Sequence, residues 1–163
     1  MKKLTLILAA LVLVVPACSP GEELAERIIE SQAGVDDIEI DEEEGTIEVQ
    51  VDDEDGGGSA TIGGGEVPDG FPIGVADGGN VTSVFETSDG ASVTLEYPVG
   101  EYENLVAFYE SWIASSGLEV FNKLEVDSPP TTSWALRDGE DDRNISVSDV
   151  GTAVIVVVFA SDS

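Results

Sequence analysis

The 163 residues contain no histidine and a single cysteine, Cys18. Without histidine, Ser-His-Asp and Cys-His nucleophilic machinery cannot be built. With one cysteine there is no internal disulfide, and zinc sites made from Cys and His are excluded. Cations are scarce too: six Lys and Arg stand against 34 Asp and Glu, a formal net charge of −28. Such a chain repels phosphate backbones and anionic headgroups, so nucleic acid is excluded as a partner. Aromatics make up only 6%. A core must therefore rest on Val, Ile, Leu and Ala, which the 42% apolar content allows. A folded region of about 150 residues buries roughly 70% of its unfolded surface, so no disulfide is needed for stability.

Long apolar runs are absent after the first one. Met1-Lys2-Lys3 is a positive start, Leu4 to Val15 (LTLILAALVLVV) is an apolar stretch of twelve, and Pro16-Ala17 breaks it. This is the layout of a secretory signal peptide, too short to span a bilayer as a mature helix. Val15 and Ala17 suit ordinary cleavage before Cys18, which would release a free thiol. Alternatively, VPAC (15–18) resembles a bacterial lipobox, which implies a diacylglyceryl group on the Cys18 sulfur, cleavage before it and often further acylation, such as palmitate, of the α-amino group. An exposed thiol is a liability in an oxidising compartment, and an acylated one is an anchor. Two or three chains hold durably where one does not. The expectation is a protein lipid-anchored at the cell membrane or outer membrane, facing away from the cytoplasm.

After Cys18 the chain falls into three parts: 18–65, the lipidated cysteine with a short helix and an acidic β-meander; 66–80, a Gly/Pro-rich crossing; and 81–163, an α+β domain. Ser19 and Glu22 form a capping box, and Leu24, Ala25, Ile28 and Ile29 share one helical face up to Gly34. Ile38 and Ile40, then Ile47, Val49 and Val51, alternate with polar residues at the strand period of two. Val67, Phe71, Ile73 and Val75 anchor the crossing. In the last part Asp89-Gly90 predicts a hairpin turn. Tyr102, Leu105, Val106, Tyr109, Trp112 and Ile113 predict a helix ending at Gly117. Val120, Leu124 and Val126 are in phase, Trp134 and Leu136 share a face, Ile145 and Val147 share another, and TAVIVVVFA (152–160) reads as a central strand. The predicted class is α+β: an antiparallel sheet with one packed helix, in the order ββαββββ. VPDGFP (67–72) and FYESWIASSGLEV (108–120) carry a resemblance to an uncharacterised type of bacterial lipoprotein with this order of elements. The resemblance implies the fold and the location and brings no activity or cofactor.

Candidate chemistry is sparse. GGGSATIGGG (56–65) lacks the lysine and following helix of a phosphate cradle. Carboxylates are everywhere, so no pair stands out for a carboxylate-only hydrolase, which would need two of them facing across a cleft. Tyr97, Tyr102, Tyr109, Trp112 and Trp134 could wall such a cleft, but their phase suits the core better. The acidic turns at Asp52, Asp53 and Asp55 and at Asp138, Asp141 and Asp142 are candidates for Ca²⁺ or Mg²⁺, although neither fits an EF-hand loop. NVT (80–82) and NIS (144–146) match the glycosylation pattern by chance composition. The expected role is a non-catalytic binding or structural module, without cofactor, held to the membrane through Cys18 and contacting an envelope protein or polymer. A cation-responsive module and a carboxylate-only hydrolase are the alternatives.

Overall fold

The computed structural model describes residues 37–41, 46–51, 57–139 and 141–161. The expectations for a signal peptide, for Cys18, for a helix over 19–34 and for Asp52, Asp53 and Asp55 lie outside the described residues.

The described chain is α+β, with one antiparallel sheet and one helix. Five strands come first: β1 (Asp37–Asp41), β2 (Thr46–Val51), β3 (Gly58–Ile62), β4 (Asn80–Thr87) and β5 (Gly90–Tyr97). The helix α1 (Tyr102–Ser116) follows, and then β6 (Glu119–Asp127), β7 (Pro130–Asp138), β8 (Asp141–Asp149) and β9 (Val154–Ser161). Their order across the sheet is β1-β2-β3-β4-β5-β9-β8-β7-β6. The first five strands are laid down side by side. Then α1 carries the chain to the far edge, and short hairpins bring it back until β9 docks between β5 and β8. Because β3 pairs with β4 in register, the crossing joins two neighbours of one sheet.

The pleat sorts the side chains. Cross-strand partners share a face, so Trp134, Ile145, Val158 and Val93 form one row, and Thr132, Val147, Val156 and Leu95 the next. Both rows are buried. Helix α1 lies over them because Leu105, Tyr109 and Ile113 recur every four residues and are all buried. The Tyr109 ring centroid is 6.4 Å from that of Trp134, and the Tyr102 and Thr132 hydroxyls share a hydrogen bond of 2.8 Å. Each such apolar side chain taken fully out of water contributes about 1.5–3 kcal/mol. Gly117 ends the helix in the left-handed region at φ 79°, and the Ser116 hydroxyl accepts the Leu118 N–H at 3.2 Å.

The crossing packs against the same core. Ile73 is buried in the core, with Val67, Phe71 and Val75 packed against it. Gly74 is required there, since a Cβ would stand 2.6 Å from Trp112 Cδ1 and Nε1.

Two local expectations are corrected. The β4–β5 turn is Ser88-Asp89, not Asp89-Gly90, because Thr87 pairs with Gly90. Val120 is out of phase with Leu124 and Val126: a register shift between Val120 and Asn122 moves it to the helix side, opposite Leu136. Strand β9 is central, as its apolar run predicts, and on the side away from α1 its Val157 and Phe159 are exposed.

Candidate functional site

Chemistry among the described residues could rest on the aromatics, on the acidic β7–β8 turn or on paired carboxylates. Most of the aromatics belong to the core. Tyr97, Tyr109 and Trp134 are buried, while Tyr102 and Trp112 are half-buried between the helix and its neighbours. They do not wall a cleft together.

At the β7–β8 turn, two of the three acids face guanidinium groups. Arg137 Nε lies 3.1 Å from Asp142 Oδ1, its direct cross-strand neighbour. Arg143 Nη2 lies 3.4 Å from Asp138 Oδ2. Among the described residues no group of three Asp, Glu, His or Cys side chains is placed to hold a metal. A cation at this turn would have to displace two arginines. Arg143 itself is buried on the helix side, and its Nη1 has no hydrogen-bond partner among the described residues.

Two carboxylates line one groove that the sequence did not single out. This groove of about 370 Å³ opens between the crossing and the first turns of α1, lined by Asp77, Tyr97, Glu101, Asn104 and Phe108 among others. Pro98 ends β5, and the Glu101 N–H reaches back to the Pro98 carbonyl at 3.4 Å. Glu101 Oε2 accepts Asn104 Nδ2–H at 2.9 Å. The Tyr97 hydroxyl donates to the Ala76 carbonyl at 2.7 Å. Burial, and after it the nearby Asp77 carboxylate, push the Tyr97 phenol up to about 12. That phenol is therefore a neutral donor near pH 7 and not a base. The groove presents two carboxylates beside aromatic and aliphatic surface, so its charge disfavours anions. Nothing local in GVADGGN (74–80) or EYPVGE (96–101) signals this groove. It depends on the crossing folding back over β5.

All three described cations, Lys123, Arg137 and Arg143, lie on β6, β7 and β8, and each is ion-paired. No helix among the described residues is long and apolar enough to cross a membrane. Comparison with family models, with curated proteins and with solved structures returned no match to this chain.

Proposed function

We propose that this protein is a lipid-anchored bacterial envelope module that binds another envelope component and is not an enzyme. Anchoring is supported by the VPAC sequence at 15–18, placed directly after an apolar run that itself follows Lys2 and Lys3. The lone cysteine is then the attachment point for acyl chains.

The binding role is carried by one observation: a strand at the end of the sheet, β6, exposes Val120, Phe121, Leu124 and Val126 in a chain otherwise rich in carboxylates. Edge strands and open sheet faces recruit partners through main-chain hydrogen bonds and alternating side chains. The Asp77–Glu101 groove is secondary in this reading, because its Tyr97 phenol is a neutral donor and not a base.

The test is the intact mass of the protein recovered from native membranes, beside Cys18→Ala. A mass above that of the Cys18–Ser163 polypeptide by two or three acyl chains, lost in the variant, supports the anchor. An unmodified mass overturns it and makes the protein a secreted one with a free or paired thiol.

A further inference from the structure

Strand β6 closes one end of the sheet, and none of its nine residues is shielded. Natural edges are usually guarded by proline, by brevity, by a bulge or by a charge aimed at an incoming strand, and the one irregularity in β6 is confined to its start. The only cation here, Lys123, is pinned 3.0 Å from Glu110 and 3.0 Å from Glu125. It sits over the Trp134 ring at 5.8 Å, on the helix side of the sheet. The guard is thus folded onto its own copy. The register shift between Val120 and Asn122 breaks the strand near its start. It leaves Asn122–Asp127 paired to β7 in unbroken register, with its other backbone edge unpaired among the described residues. Along that run Asn122, Leu124 and Val126 point to the side away from α1, while Lys123 and Glu125 point to the helix side.

We propose that β6 is a self-pairing edge: two copies of this chain join antiparallel through β6 about a two-fold axis at Leu124. The proposal deepens the binding reading above by naming the partner, and it requires no lipid. Charge complementarity selects the register. Centred on Leu124, the pairing sets Lys123 of each copy opposite Glu125 of the other. Leu124 then meets Leu124, and Asn122 meets Val126. No like charges face one another. Centring on Lys123 would set lysine against lysine, and centring on Glu125 would set glutamate against glutamate, each destabilising when directly opposed. An offset by a single residue would put open-face side chains against helix-side ones, which the pleat forbids. A two-fold contact of this kind is closed, so it gives a dimer and not a fibre. The opposing force is the charge of −28 on each copy, which shrinks in reach from about 10 Å at 0.1 M salt to about 3 Å at 1 M.

The test uses the full chain carrying Cys18→Ser, in 1 M NaCl, with single cysteines introduced on the exposed run. Directly opposed strand residues have Cα atoms about 5 Å apart, within disulfide range. Leu124→Cys is expected to form a covalent dimer under mild oxidation. Asn122→Cys and Val126→Cys are each expected to stay monomeric alone and to link when mixed. Linking at Val126→Cys alone, equal linking at all three positions, or no linking at Leu124→Cys overturns the proposal. In parallel, sedimentation of the unsubstituted chain with reductant should show a dimer that grows with concentration. Lys123→Glu and Glu125→Lys should each weaken it at least tenfold, and mixing the two variants should restore it. A chain that stays monomeric throughout overturns self-pairing and gives the edge to a strand of another protein. Circular dichroism of each variant separates lost pairing from lost folding, and neither readout depends on acylation of Cys18.

Discussion

The Tyr97 hydroxyl and the Ala76 carbonyl meet at 2.7 Å. This one bond ties the Gly/Pro-rich crossing to the end of β5. The fit around it is tight, since a Cβ on Gly79 would stand 2.7 Å from the same hydroxyl oxygen. Tyr97→Phe leaves the ring in place and orphans the carbonyl. The expected cost is about 1 kcal/mol, or a fall of about 3 °C in Tm. Gly79→Ala pushes the ring itself and should cost more, about 1–3 kcal/mol. Thermal melts of both variants check the order. Equal stability of wild type and Gly79→Ala would mean the crossing is not held here.

The second core tyrosine should behave in the opposite way. Tyr109 is fully buried, and its hydroxyl has no hydrogen-bond partner among the described residues. Burying an unpaired hydroxyl is unfavourable by about 1–3 kcal/mol. Tyr109→Phe removes that penalty while keeping the edge contact with Phe108, whose ring centroid is 5.0 Å away. The variant is expected to match or exceed wild-type stability in urea. A loss comparable to that of Tyr97→Phe would reveal a partner for the hydroxyl.

Both phenols also set an alkaline limit. Burial raises Tyr109, and burial with Asp77 holds Tyr97 at about 12, against an ordinary value of 10.0. Above pH 10 the unfolded chain gives up phenolic protons that the folded chain keeps, so the unfolded state binds fewer. Stability present below pH 10 is therefore lost as pH rises toward 12. Melting temperature against pH should fall over that window, and the slope should be shallower in Tyr97→Phe. An identical slope in the variant would remove Tyr97 from the account.

What the sequence revealed of the fold follows from which signals are local. Helix α1 was legible because Leu105, Tyr109 and Ile113 repeat at its period and Gly117 stops it. The phase of β6 was not, because nothing in LEVF announces that the register shifts beyond Val120. Strand β9 read as central from its unbroken apolar run, yet only one of its faces is covered by described residues. The Asp77–Glu101 groove was invisible, since it depends on long-range placement, and the Arg143–Asp138 contact, though local, depends on the register of its hairpin. Arginines set among many acids look alike until a register assigns Arg137 to Asp142.

The β4–β5 hairpin offers a sharper test of sheet geometry. Gly90 opens β5 at φ 143°, paired both to Thr87 and to Ser161. A Cβ there would run into the Ala160 carbonyl oxygen and come within 2.7 Å of Ser161 Cα. Both are backbone atoms in the middle of the sheet, so no side-chain rotation relieves the clash. Gly90→Ala is expected to cost about 3 kcal/mol from overpacking and strained φ together. Chemical denaturation measures it. A cost below that of Gly79→Ala would show that β5 and β9 can part at this end.

Salt should stabilise the fold, although it weakens every ion pair described. Lys123 and Arg137 sit in exposed pairs, and such pairs contribute about 0–1 kcal/mol each. Against them stands the mutual repulsion of 34 acidic residues with only six cations to offset them. At 0.01 M salt that repulsion acts over about 30 Å, wider than the spacing of neighbouring strands, and at 1 M over about 3 Å. The few attractive pairs are at contact distance and lose less by screening than the many longer-range repulsions do. Tm is therefore expected to climb between 10 mM and 1 M NaCl and to climb again, less steeply, on exchanging chloride for sulfate, which favours burial by exclusion. A flat NaCl response would mean that the acidic side chains are spaced widely enough to ignore one another, and would remove repulsion as the force that β6 pairing must overcome.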